Sequence, residues 1–412
     1  MENQTEKQKA SLLLFGCCWL MYMIVCMTKT NYAASIAYIV NAGIFNKTGA
    51  GTIAASFYFM YAVSQLFGGK ITDLMSPFTA MTIGVVASIF TNFILAFTTN
   101  FYLVFILWSF TGFIQFGVWP SAARIVSSVL VPEHRGKAGL YITFAIGVGG
   151  ILSYFVVNPM LEAWGWMSVF FLNVALLCSG LFFWLFAKSR TEKILLVEQT
   201  VPLQQKKLPK SEHKFMPLFM ASGMIFILFF GIAQAMLDNG VKTWVPTMLD
   251  ESYHISATFA SIQTALLYIC NIFGVLLVVH LFRKIKNTVL VQTLYFAICL
   301  PACFMMLFIG KIPLWLAVGL LVLSTTMIYG MTNLSVRIAA VFSKFGYSAT
   351  VSGLINAMVC FGIVIGNMGY GYIAENYGWT AVTAIWLIIC ALAVILGIPA
   401  TVMWKKFVKS IH

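Results

Sequence analysis

The chain is 412 residues long, 61% of them hydrophobic and only 9% charged, with a formal net charge of +13. That is too little polar surface to cover a water-soluble globule of this length, so a soluble fold is excluded and the chain belongs in lipid.

After a short polar head, MENQTEKQK, the first apolar stretch covers about residues 11–42. It lacks a small-residue cleavage site at signal-peptide distance and is read as retained. Eleven more follow, at about 51–72, 77–98, 102–130, 138–161, 166–187, 215–249, 256–282, 288–310, 312–342, 347–374 and 379–404. Each can cross a hydrocarbon core of about 30 Å as a helix. The expected fold is an all-α membrane protein of twelve transmembrane helices. The only long polar stretch, KSRTEKILLVEQTVPLQQKKLPKSEHK, is read as a linker over 188–214 between an N-terminal six-helix bundle, 1–187, and a C-terminal one, 215–412.

Twelve spans place both termini on one side, together with nearly all loop lysines and arginines, among them Arg135, Lys188, Lys206, Lys284 and Lys405; the opposite loops hold Lys47 and Lys311. The excess of positive charge marks the cytoplasmic side of a cell membrane, with both termini inside, and accounts for most of the +13 charge. It is weak evidence for a nucleic-acid partner, and none is expected. The nine cysteines lie in apolar spans without metal spacing and read as small hydrophobes, so no metal is expected.

The two halves repeat. Arg124 and Arg337 stand 337 − 124 = 213 positions apart, as do Glu162 and Glu375, and the Gly165-Trp166 and Gly378-Trp379 pairs. Parallel repeats of six spans are the build of carriers that rock about a central site. No Gly-rich phosphate loop, carboxylate pair, activated nucleophile or metal cluster is evident, so neither an enzyme, a cofactor nor direct coupling to ATP is expected.

Charges at membrane depth carry the functional reading, because each costs about 2.5–3.5 kcal/mol at mid-helix. Lys29, Arg124, Asp238, Lys242 and Arg337 qualify. Arg124 and Arg337 lie near span ends, where snorkelling anchors or gates are expected. Lys242, four residues after Asp238, fits an ion pair on one helix face or a snorkelling cation. Asp238 has three readings: a partner for Lys29 across the bundles, a proton-coupling carboxylate, or a contact for a cationic solute group. The first is favoured, since a buried charge without a partner is costly. Tyr32, Tyr61, Gln65, Trp119, Trp244, Tyr268, Asn271 and Asn356, with Tyr38, Tyr329 and Asn333, offer hydrogen bonds and ring faces to a polar solute, against the plainer readings of interface anchoring and interhelical bonding.

The run GVWPSAARIVSSVLVPEHRGKAG from Gly117, with VGG at 148–150, resembles the organophosphate:phosphate antiporters of the major facilitator superfamily. KTNYAASIAYIV from Lys29, YAVSQLFGGKITD ending at Asp73, DNGVKTWVPT from Asp238 and GYIAENYGW from Gly371 extend the resemblance over nearly the whole chain. It implies two six-helix bundles, rocker-switch exchange, an anion held between the first and seventh helices, and Asp73 in a gate. The family's first-helix arginine falls on Lys29, its second-helix lysine on Gln65, its fifth-helix histidine on Ile146 and its seventh-helix arginine on Asp238, and all four depart. Asn31, Tyr61, Trp119, Pro120, Arg124, Gly240, Trp244 and Pro246 match. Because lysine does not replace a forked arginine on a phosphate dianion, and an aspartate would repel one, a monoanion or zwitterion fits better.

The expected function is a secondary transporter of a small organic anion or zwitterion, such as a sugar acid or carboxylate, by antiport or proton symport, with a proton or counter-anion as co-substrate and a monomeric chain. Alternatives are an organophosphate/phosphate antiporter, a proton-coupled drug exporter, or a non-transporting membrane sensor.

Overall fold

In hydrocarbon a backbone must satisfy its own hydrogen bonds, and among the described residues of the computed structural model, 2–73, 75–196 and 215–411, the chain is helical throughout with no strand. Six helices precede residue 197: α1 (Glu2–Asn41), α2 (Lys47–Asp73), α3 (Pro77–Ala96), α4 (Phe101–Val129), α5 (Pro132–Trp164) and α6 (Trp166–Leu196). After a short helix at Phe215–Ala221 come α7 (Met224–Tyr253), α8 (Ala257–Ile285), α9 (Thr288–Phe308), α10 (Leu314–Phe345), α11 (Ser348–Tyr377) and α12 (Trp379–Ile411). Among the described residues, eleven helices are long and apolar enough to cross a membrane; α2, with 27 residues, is the remaining predicted span.

Helix starts follow the sequence. Ser76, Asn100, Ser256 and Asn287 accept hydrogen bonds from the first amides of α3, α4, α8 and α9, the side-chain caps that exposed helix amides require. Gly165 and Gly378, at φ of 72° and 79°, end α5 and α11 in a conformation that favours glycine. Two expectations are corrected. α6 runs on to Leu196, so the first part of the supposed linker is helix, and 197–214 lie outside the described residues. The seventh predicted span is interrupted at Gly223, whose φ of 70° breaks the helix before Met224. Six of the nine cysteines are buried as expected, but Cys178 is exposed and Cys17 and Cys270 are half-buried.

The chain forms two units, Met1–Phe45 with Ser56–Lys206, and Asn46–Ala55 with Lys207–His412. The start of α2 thus belongs to the second unit, a departure from a simple division near the middle. There Glu375 accepts from the Thr48 amide and hydroxyl and from the Asn46 amide, while Lys47 pairs with Glu251 at 2.8 Å.

In the first unit α1 packs on α5 and α6, and α3 on α6. Buried amides tie these helices: Asn31 on α1 donates to Asn173 on α6 at 2.5 Å, and Asn173 donates to Asn92 on α3 at 2.9 Å. In the second unit α7 packs on α11, α8 on α10 and α9 on α12. The repeat shows in the closest approaches, since Gly149 and Gly362 stand 362 − 149 = 213 apart. A Cβ on Gly149 would lie 2.9 Å from the Met23 carbonyl oxygen on α1, and one on Gly362 would strike the Ile232 carbonyl on α7. Small residues let such helices meet, because packing has to replace the hydrophobic drive that is absent between helices in lipid.

Valine at Gly362 is expected to lower stability by roughly 1–3 kcal/mol through overpacking. Alanine at Gly147, where a Cβ meets open space, is expected to change nothing, and thermal unfolding in detergent compares them.

Candidate functional site

The wide turn Met236–Gly240 interrupts the regular winding of α7 and carries Asp238. Such one-turn expansions recur at functional sites because they re-aim side chains and loosen the local ladder. Gly240 makes the turn possible next to α11: a Cβ there would lie 3.0 Å from the Tyr370 ring and 3.1 Å from the Gly366 Cα.

One helical step beyond, Lys242 forms an ion pair and hydrogen bond with Asp238. The ammonium is enclosed, with 3% of its side chain exposed against 17% for Asp238. It lies 4.6 Å from the Tyr268 ring centroid and 4.9 Å from that of Tyr329, and the Asn271 amide oxygen accepts from it at 2.6 Å when the Asn271 nitrogen donates to Leu267. A desolvated ammonium between two ring faces gains a cation–π attraction of about 2 kcal/mol or more. The expected pairing of Asp238 with Lys29 is therefore corrected: its counter-ion comes from its own helix, because residues four apart on a helix already face each other.

Asp238 opens on a cavity of about 240 Å³ inside the second unit. Gln234, Asp238 and Asn239 line it from α7, Thr332 and Ser335 from α10, and Ser352 and Asn356 from α11, with Val336, Ile355, Val359 and Ile363 as apolar wall. Gln234 donates to the Thr332 hydroxyl at 2.7 Å, just past the point where α10 interrupts its regular winding at Met331. The sequence reading named Asp238 and Asn356 and missed Gln234, Asn239, Thr332, Ser335 and Ser352. Gln234 was within reach, as a polar side chain four residues before Asp238 on an apolar helix.

In the first unit Lys29 is half-buried on α1, with its ammonium 5.7 Å from the Tyr61 ring centroid on α2. It is the repeat counterpart of Lys242, since 242 − 29 = 213, and each lysine lies over a tyrosine of the following helix. This equivalence was legible and was missed. The counterpart of Asp238 is Val25, and among the described residues Lys29 has no ion pair. Gln65 donates to the Phe116 carbonyl at 3.4 Å, and Trp119, 36% exposed, packs on Tyr22.

Three other candidates are buried within the helix packing. Asn31 is fully buried in the amide tie, Tyr32 is 2% exposed against Trp108, and Trp244 is fully buried, donating to the Asn367 carbonyl at 3.0 Å. The Asn31 amide nitrogen and the Trp244 indole N–H donate between helices, and the buried Asn31 amide oxygen has no hydrogen-bond partner among the described residues. Arg124 donates to the Met75 carbonyl at 3.3 Å and Arg337 lies 4.4 Å from the Phe282 ring centroid. Asp73 ends α2, and its side chain lies outside the described residues.

A duplicated array of membrane-length helices, with deep charges gathered at a widened turn beside a polar cavity, is the build of a multi-pass membrane carrier. Residues 18–367 match the Major Facilitator Superfamily, and the chain belongs to it. It is 21% identical over 413 residues to the "Probable hexose phosphate transport protein" of Chlamydia pneumoniae, covering 94% of this chain and 90% of that one. A shorter match, 28% identical over 148 residues and 36% of this chain, is to the "Membrane sensor protein UhpC" of Salmonella typhimurium. Both relatives accord with the resemblance to the organophosphate:phosphate antiporters. The fold is that of a bacterial homologue of the human lysosomal transporter Spinster, with TM-score 0.75 at 14% identity over 98% of each chain. The peptide transporter POT superposes with TM-score 0.76 at 13% identity, over 96% of this chain and 95% of that one.

Removing one member of the Asp238–Lys242 pair strands a buried charge, so Lys242→Met is expected to cost about 3–5 kcal/mol, and Asp238→Asn with Lys242→Met far less than either alone. A double-mutant cycle by thermal unfolding checks this.

Proposed function

We propose that this transporter moves a small organic anion or zwitterion across the cytoplasmic membrane by alternating access, with both termini inside the cell. The observation that carries the reading is the unequal treatment of the two repeat-related lysines. Lys242 is paired with Asp238 within the second unit, whereas Lys29 in the first has no ion pair among the described residues. A lysine ammonium such as that of Lys29 suits one carboxylate. It suits a phosphate dianion poorly, since that is best held by bidentate arginines. A cavity of about 240 Å³ is smaller than a drug-sized pocket, which supports a small hydrophilic solute over an amphiphilic drug.

Phosphate transport is a second reading, favoured by the name of the chlamydial relative, which matches over 94% of this chain. The sensor reading has the shorter match to UhpC behind it. Proton coupling and a monomeric chain remain part of the proposal, with Asp238 as the carboxylate through which a proton would act.

A thermal-shift series on the purified protein separates these readings, because a ligand at 100 times its dissociation constant adds about 2.7 kcal/mol. Stabilisation by carboxylates or zwitterions is expected; stabilisation by sugar phosphates alone overturns the reading. Replacing Lys29 with alanine should weaken the bound anion by about tenfold or more, the worth of one charge-assisted hydrogen bond. Uptake into proteoliposomes then distinguishes transport from sensing. Coupled accumulation that persists in Asp238→Asn would exclude proton transfer through that residue.

A further inference from the structure

The second unit contains a lysine that has almost no surface left and a carboxylate that has some. Lys242 is surrounded by Asp238, the Asn271 oxygen and the rings of Tyr268 and Tyr329, and 3% of its side chain is exposed. Asp238 lines the cavity and keeps 17% of its side chain open. The other polar groups around that cavity are neutral amides and hydroxyls from Gln234, Asn239, Thr332, Ser335, Ser352 and Asn356. The cavity therefore shows a solute one anionic acceptor, with the neighbouring cation withdrawn behind it. An anionic group would meet a carboxylate there. A donor-rich cationic group would meet an acceptor.

We propose that Asp238 is the receptor for the ammonium group of the solute, and that Lys242 is a positioning residue: a tethered counter-ion that holds Asp238 charged and oriented while the cavity is empty and yields it to the incoming ammonium. This rests on the transporter reading above and narrows its solute to one carrying a primary amine beside its carboxylate, an amino acid or a close relative. The cage makes the exchange feasible. When the solute ammonium takes Asp238, the displaced Lys242 keeps the two ring faces and the Asn271 oxygen, so no bare cation is left in a desolvated site. The repeat supports the same assignment, because Lys29 has Val25 where Lys242 has Asp238. The acceptor was placed in one half only.

Matched ligands test this: α-amino acids against the 2-hydroxy acids of the same side chain, followed by thermal shift and calorimetry on the purified full-length protein. The wild type is expected to prefer the amine by about tenfold or more, since a site built for a donor rejects an analogue that lacks it. Asp238→Asn should reduce the preference to near unity while hydroxy-acid affinity persists. In Lys242→Met the competing ammonium is gone, so amine ligands should bind about tenfold more tightly and give a larger thermal shift than in wild type, an effect that loss of mere packing would not produce. Where that variant fails to fold, Asp238→Asn with Lys242→Met restores neutrality and is expected to bind both ligands alike. Equal affinity of amine and hydroxy acid in the wild type, or an amine preference that survives in the double variant, overturns the inference and leaves the transporter reading standing. Stabilisation by sugar phosphates with no response to either series overturns both.

Discussion

Everything in this fold follows from the cost of leaving a backbone amide or carbonyl unpaired in hydrocarbon, several kcal/mol for each group. The chain meets it with helices from end to end of its described parts and departs from regular winding at few places. Those departures are informative because each needs local compensation. On α7 the wide turn Met236–Gly240 lies closely against α11 at Gly366, and it is the turn that holds Asp238. The interrupted winding of α10 near Met331 places Thr332 where Gln234 can reach it.

The same medium decides how polar side chains are handled, and the two units handle them differently. The first joins α1, α3 and α6 through the neutral amides Asn31, Asn92 and Asn173, each a modest contribution in lipid but costly to leave half satisfied. The second has Trp244 at the repeat counterpart of Asn31 and Trp386 at that of Asn173, and holds the ion pair of Asp238 and Lys242. A buried ion pair is weak evidence for stability, since apolar residues of the same size often stabilise as well or better. This pair stands beside a cavity that Asp238 lines.

Membership of the Major Facilitator Superfamily sets the scaffold, and the charges set the chemistry on it. The likeness to solved transporters at 13–14% identity establishes the fold alone. The duplication preserves parts of the packing, as at Gly149 and Gly362 or Gly165 and Gly378.

Much of the fold was legible in the sequence. Apolar runs located the spans and the offset of 213 revealed the duplication, because both are local or periodic properties of the chain. It also singled out Lys29, Asp238 and Lys242, since charges in apolar spans are conspicuous by their cost. Tertiary structure decided how the Asp238–Lys242 pair is enclosed, with the Lys242 ammonium over the rings of Tyr268 and Tyr329 and Asp238 lining a cavity, because this depends on how neighbouring helices are rotated, which hydropathy does not encode. It buried Asn31, Tyr32 and Trp244 among the helices, and it placed Thr332, Ser335 and Ser352, ordinary hydroxyl residues, around the cavity that Asp238 lines, because only the convergence of helices brings them there.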